Sequence, residues 1–395
     1  MYRPAIVAIG YNRPKALERL LMSLESAIYP EGFDVTLIIS IDKSDNELTA
    51  DVAREFEWSH GTKIVNAREK NLGLKAHVLS CGDYVKEYGS IIVLEDDLYV
   101  SKNFYEYSVA ALDFSKNDER IGGISLYNHL MNVHAREPFE AINDGYDNWY
   151  FKFASSWGQA YTKPQWESFI SWYELNKEKP VIGAYVPTNV SGWSDKSWLK
   201  YYIKYLIDTN RYFLYPRISY TTNFSEIGEH AVSMDTDVQV PLLFGTAKRE
   251  YLFSTLDESQ SVYDAFFENE RLLLNQTKAG DIPSDVQGSL VVDLYGNKFL
   301  ETIFAESEGG CKYYLTQKSL PYSIIKSYAR AMRPIDANVI CDIEGGDIFL
   351  YDITKKGDAP KISEADRYLY DYKAISAKRM TSILKYRVTQ AITRK

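Results

Sequence analysis

The chain is 395 residues long, 45% hydrophobic and 25% charged, with a net charge of −9. Such a composition suits a globular protein large enough for more than one domain. No apolar run approaches the ~20 residues of a membrane-spanning helix, and the first residues lack the basic and apolar regions of a secretory leader. Cys81, Cys311 and Cys341 are odd in number and lack metal-ligand spacing, so a reduced, cytoplasmic setting is expected.

In chain order, residues 5–9 read as an apolar strand closed by Gly10. The loop Tyr11-Asn12-Arg13-Pro14 follows, with Pro14 suited to the first turn of a helix whose Leu17, Leu20, Leu21 and Leu24 share one face. Residues 34–41 predict a second strand ending at Asp42, 46–58 a helix, 63–65 a short strand and 73–88 another helix. Ile91-Ile92-Val93-Leu94 then reads as a strand buried on both faces. This alternation predicts an α/β fold, a doubly wound, mostly parallel, Rossmann-like sheet with helices on both faces. A helix at 102–114 and a strand at 121–125 continue it. Residues 126–160, rich in Asn, Asp, Tyr and Trp, read as binding loops. Helices are expected at 166–175 and 196–208, and strands at 212–215 and 218–222.

Beyond about 240 the texture changes. Residues 251–274 read as largely helical, 280–288 as a linker, and strand-like runs follow at 289–294, 312–315 and 337–350. The expected organisation is a first domain over 1–238, a smaller α+β accessory region over 239–372 and a basic tail over 373–395. From Lys373 to Lys395 there are seven Lys or Arg and no Asp or Glu. Met380, Ile383, Leu384, Val388, Ala391 and Ile392 recur there near helical spacing, so a basic amphipathic helix is expected. Such a helix suits an anionic lipid surface; a solvated tail and a helix packed on the acidic body are the alternatives.

The chemistry-bearing feature is Glu95-Asp96-Asp97, which stands at the end of the 91–94 strand. Three like charges there call for a positive partner. Hard Mg²⁺ or Mn²⁺ carrying a phosphate-bearing ligand meets that need, and the carboxyl ends of parallel strands are where such sheets bind ligands. An acidic turn that merely solubilises the strand is the alternative. There is no Gly-x-Gly-x-x-Gly or Walker loop after the first strand, and no nucleophile elbow. The five histidines show no paired metal spacing, and outside the tail no basic-aromatic patch suggests nucleic acid.

Six segments in order resemble the GT-A nucleotide-sugar glycosyltransferases, and within them the inverting N-acetylglucosaminyltransferase I-like enzymes and their bacterial relatives. They are Val7 to Pro14, Ser40 to Ser44, Glu69 to Lys75, Val93 to Tyr107 (with Glu-Asp-Asp-Leu before a Phe-Tyr-Glu-Tyr helix), Gly192 to Trp198, and Pro216 to Thr221 with Gly228-Glu229-His230. The resemblance covers the first 235 or so residues. It implies that Asp97 ligates the metal, Asp96 holds ribose or a metal-bound water, Glu95 orients Arg13, and Asp42 meets the base. Arg13, Asn71 and Lys75 would help hold nucleotide or phosphate, or else serve as surface ion pairs or, for Asn71, a helix cap. Asp195 is the expected catalytic base, or alternatively a helix N-cap, because Ser194 replaces the family's first Asp. Asp144, Asp147 and Glu226 are reserves. Trp149, Trp157 and Trp193 either stack on acceptor sugars or belong to the core, Ser155 to Gly158 would line an acceptor pocket, and His230 reaches a phosphate or caps a loop.

The resulting expectation is a metal-dependent, inverting hexosyl- or N-acetylhexosaminyltransferase using a UDP-sugar donor. Its acceptor would be a glycan or lipid-linked oligosaccharide of surface polysaccharide synthesis, reached from the cytoplasmic side of the membrane. A sugar-1-phosphate nucleotidyltransferase and a non-catalytic glycan-binding or scaffold protein are the alternatives.

Overall fold

A computed structural model describes residues 1–224, 238–246, 250–274, 282–283, 285–306, 310–363 and 376–393. The first stretch runs β1 (Ala5–Gly10), α1 (Pro14–Glu25), β2 (Leu37–Ile41), α2 (Leu48–Glu55), β3 (Lys63–Ala67), α3 (Leu74–Gly82), α4 (Val85–Tyr88), β4 (Ser90–Glu95), β5 (Leu98–Val100), α5 (Phe104–Ser115) and β6 (Ile121–Ser125). It continues with β7 (Met131–Asn132), β8 (Glu137–Pro138), β9 (Asn148–Phe151), β10 (Gln159–Thr162), α6 (Lys163–Asn176), α7 (Thr188–Ser191), α8 (Leu199–Asp208), β11 (Tyr212–Pro216), β12 (Thr221–Asn223) and β13 (Val262–Tyr263).

Nine of these strands form one sheet in the order β13-β9-β11-β6-β10-β4-β1-β2-β3. The pairings β4-β1, β1-β2 and β2-β3 are parallel, as the apolar runs predict. Val7, Ile9, Ile38 and Val93 face one buried layer, while Ile6, Ala8, Ile39, Ile92 and Leu94 face the other. Helices cover both faces, which is why these strands carry no polar alternation. Helix α6 begins at a capping box: Thr162 Oγ1 accepts from the Gln165 N–H, and Gln165 Oε1 accepts from the Thr162 N–H at 2.9 Å.

Three expectations are corrected. Residues 126–160 are not only loops, because β9 and β10 lie within the sheet, and β10 sits antiparallel between β4 and β6. Their residues are buried on both faces, so no two-residue period marks them. Residues 251–274 are not helical. Their backbone N–H groups are taken by side chains instead: Leu252 donates to Asp147, Ser254 to Asn148, Gln260 to Asp144, and Phe266 and Glu268 to Asp264, at 2.8 to 3.1 Å. Such acceptors, Asp264 from nearby and the others from distant parts of the chain, compete directly with helical hydrogen bonds. Residues 337–350 are not one strand, since their first residues close a helix.

The second region is a four-stranded sheet in the order β14 (Leu290–Asp293), β15 (Tyr313–Thr316), β17 (Ile348–Lys356), β16 (Tyr322–Tyr328), with helices α9 (Leu300–Glu306) and α10 (Ile335–Ile340). Residues 238–246 and 250–274 are bound to the first sheet: Tyr127 donates to the Val238 carbonyl at 2.7 Å, Leu252 donates to Asp147, and β13 forms the sheet's edge. The change of sheet therefore falls near Leu290. Phe139, Tyr263 and Phe267 share one apolar cluster with Tyr295, Leu315, Ile335 and Leu350, so the two regions are packed on a common core. The last described element is α11 (Ala377–Thr393).

Within that shared core, Tyr263 donates its hydroxyl to Asp336 Oδ2 at 2.9 Å. Burial pushes the Asp336 carboxyl up to about 7. The folded chain thus holds this proton more tightly than the unfolded one, and the resulting stability, whole in acid, is lost as pH rises through about 7. Asp336→Asn removes that loss. Relative to wild type, the variant should gain about 2 kcal/mol between about pH 5.5 and about pH 8.5 in urea unfolding.

Candidate active site

Strands β1, β2 and β4 are neighbours and parallel, so their carboxyl ends lie along one edge. Gly10 pairs with Ile41 and Ile9 with Glu95, which brings the loop after β1, Asp42 and the acidic triplet together. A Cβ on Gly10 would lie 2.9 Å from the Ile41 side chain, so a small residue is needed where the two strand ends converge.

Arg13, at the start of α1, forms an ion pair with Asp96, and its Nη2 lies 3.7 Å from Asp97 Oδ2. Asp96 is buried, whereas the Asp97 side chain is 28% exposed. Burial pushes all three carboxyls up, and repulsion from neighbouring carboxylates adds to it at Glu95, which reaches about 8, and at Asp96, which reaches about 6; Asp97 is raised by burial. Burial by itself would lower the Arg13 pKa, but the facing Asp96, Asp97 and Glu95 outweigh it and hold the guanidinium above its ordinary value. The cluster is short of positive charge. A residue the sequence reading missed, Arg19 on α1, adds to the field at Asp97 and stacks 3.7 Å over the Phe224 ring. Six residues from Arg13 is about 1.7 turns, which sets Arg19 off Arg13's side of the helix, so no helical period marked it.

Asp42 is buried, and its oxygens hold a turn. Oδ1 accepts the N–H groups of Lys43 and Leu72, and Oδ2 that of Gly73, all at 2.9 Å. One acceptor position on Oδ2 is left. Asn71 donates to the Lys43 carbonyl at 2.7 Å and does not cap α3, whose N-cap is Gly73. Gly73 has φ +77, a left-handed conformation that favours glycine. Beneath this turn, His77 bonds Ser40 Oγ at 2.8 Å, and burial lowers its pKa to about 4, so it stays neutral.

Because β10 runs antiparallel to β4, with Gln159 opposite Val93, residues 157–158 lie beside the end of β4. Gly158 has φ +93, and a Cβ there would come within 2.7 Å of Thr221. The Thr221 hydroxyl donates to the Trp157 carbonyl at 2.5 Å, while β12 pairs with β5 directly after Asp97. Ser155 is buried and accepts the Trp157 N–H at 3.1 Å. Trp157 and Trp193 are half-buried. Trp149 is core: it is fully buried and donates to Asn128 and to the Pro216 carbonyl, which removes it as a sugar-stacking surface.

Asp195 is 88% exposed in its side chain and pairs with Lys200 Nζ at 2.9 Å; that contact holds its carboxyl below the usual range. It is not a helix N-cap, since α8 starts later and is preceded by Trp198. Lys75 contributes to the field at Asp195 and lies 4.9 Å over the Tyr201 ring. Asp144 and Asp147, held as reserve bases, are occupied. Asp144 binds Arg217, Ser259 and the Gln260 N–H, and Asp147 binds the Leu252 N–H. His230 and Glu226 lie outside the described residues.

Among the described residues, no group of three or more His, Cys, Asp and Glu is arranged to hold a metal ion by itself. The acidic edge fits a different arrangement. Asp97 offers a partly exposed carboxylate, and Mg²⁺-type cations are commonly held by one or two carboxylates plus the phosphates of a substrate.

No protein-family model and no curated protein matches the chain. Among solved structures, it is similar to S. aureus TarS 1–349 in complex with UDP-GlcNAc, at 13% identity and a TM-score of 0.38 over 58% of this chain and 60% of that one. It is similar to S. aureus TarS 1–349 at 15% identity and 0.36, over 55% and 59%. It is also similar to the mannosyltransferase PcManGT from Pyrobaculum calidifontis in complex with GDP-Man and Mn²⁺, at 14% and 0.31, over 44% and 47%. The chain covers less than two thirds of each. At these identities and TM-scores the likeness carries no argument about activity.

Proposed function

We propose that this protein is a metal-dependent, inverting glycosyltransferase that moves a sugar from a nucleotide-sugar, with UDP-sugars favoured, to a glycan or lipid-linked oligosaccharide in surface polysaccharide synthesis on the cytoplasmic side. The observation that carries it is the charge-starved acidic edge, where a partly exposed Asp97 stands beside Arg13 at the carboxyl end of a parallel sheet. A Mg²⁺ or Mn²⁺ ion bound through Asp97 would neutralise the departing diphosphate. Arg13, released from Asp96, would then turn toward phosphate as a fork of donors. Asp96 would hold the ribose or a metal-bound water, and Glu95 would keep Arg13 oriented. Asp42 keeps one acceptor position for a base N–H, while Asn71 and Lys75 border the same turn.

In an inverting transfer the acceptor hydroxyl oxygen attacks the anomeric carbon as the bond to the diphosphate oxygen breaks, and a carboxylate takes the hydroxyl proton. Asp195 is the proposed acceptor of that proton, which requires acceptor binding to part it from Lys200. Asp195→Asn should leave UDP-sugar binding unchanged in calorimetry and remove transfer to acceptor; unimpaired transfer would reassign the base. Trp157 and Trp193 offer half-buried rings for acceptor sugars.

The runner-up readings separate cleanly. A nucleotidyltransferase wants a glycine-rich, basic loop after β1, and Gly10-Tyr11-Asn12-Arg13-Pro14 is poor in glycine. A silent scaffold would bind UDP no better with Mn²⁺ than without. Titration of the purified chain with UDP should show binding that strengthens at least about tenfold when Mn²⁺ is present, because one carboxylate and a diphosphate share the cation.

A further inference from the structure

Helix α11 is exposed over 377–389 and at Ala391 and Ile392, and its apolar residues have an order the proposed chemistry does not use. At about 100° per residue, Met380, Leu384, Val388 and Ala391 fall on one narrow stripe. Lys378 and Lys385 lie along one flank, and Arg387 borders the other. Leu384 is 64% exposed, and Met380, Val388 and Ile392 are exposed with it. An exposed apolar stripe on a monomer needs a cover. We infer that the cover is an anionic lipid surface, with α11 lying in the interface, its stripe among the acyl chains and its flanking cations at the headgroups.

Three observations favour lipid over protein. The helix has no Asp or Glu to answer a partner's cations. Lys385 and Arg387 stand on either side of the stripe, where long side chains reach up from a buried face to anionic headgroups, while Arg379 lies on the opposite face. It is also too short and charged to cross, and no helix among the described residues is long and apolar enough to span a membrane. The inference is independent of glycosyl transfer, because it is read by binding alone.

The test is flotation of the full chain with vesicles of phosphatidylcholine, or of phosphatidylcholine and phosphatidylglycerol in equal parts, at low and high salt. The chain should float only with the anionic vesicles, and less as salt rises. Reversing Lys385 and Arg387 to Glu should lower partitioning at least about 30-fold, from the roughly fivefold worth of each basic residue near such a surface. Leu384→Glu should abolish flotation with the melting temperature unchanged. Failure to float with anionic vesicles, or flotation indifferent to both variants, overturns the inference. So does a Leu384→Glu chain that changes its oligomeric state, which would mean a second copy covers the stripe, or that melts earlier, which would mean the acidic body does.

Discussion

Asp97→Ala is expected to remove donor turnover, by at least about a thousandfold, while leaving the fold intact. The carboxylate is partly exposed and repels Glu95 and Asp96, so its loss relieves that repulsion while Arg13 keeps Asp96 as its partner. Thermal unfolding of the metal-free variant should therefore occur no lower than in wild type. Asp97→Asn keeps the shape and one acceptor oxygen but loses the charge; it should fail as the alanine variant does if the group grips a cation. Turnover of a UDP-sugar with Mn²⁺ near the wild-type rate in either variant would remove the acidic edge from the mechanism.

Asp42→Ala is expected to damage stability and nucleotide binding together. Three backbone N–H groups, from Lys43, Leu72 and Gly73, end on this one buried carboxylate. Leaving them without an acceptor should cost about 3 kcal/mol or more in urea unfolding. The same carboxylate pins the turn before α3 against the end of β2, so UDP affinity measured by calorimetry should fall as well. Asp42→Asn retains one acceptor oxygen but sets an NH₂ group against an amide, and should fall between. Unchanged unfolding in the alanine variant would mean that the turn is held by other contacts and that Asp42 serves the ligand alone.

The contrast between these residues marks how far the sequence could be read. The run from β1 to β4 was legible because continuous apolar strands alternate with one-faced helices such as that of Leu17, Leu20, Leu21 and Leu24, all buried here. Strands β9 and β10 were not legible: four residues long and buried all round, they carry no period. Strand β16 was missed for the opposite reason. It lies at the edge of its sheet and is mostly half-exposed, so polar residues sit among its apolar ones. The helix expected over 251–274 failed because its backbone is claimed by Asp144, Asp147 and Asn148, more than a hundred residues away in sequence.

The sequence by itself determined the doubly wound class, the acidic triplet at a strand end and the basic one-faced tail, because each depends on residues near one another in the chain. Tertiary structure alone decided which charges meet. The parallel register of β1 and β4 sets Arg13 on Asp96 across 83 residues, packing spends Asp42 on three amides, and the core takes Trp149. Hydrogen bonds and ion pairs depend on distance in space, and for groups so far apart along the chain only the completed sheet sets that distance.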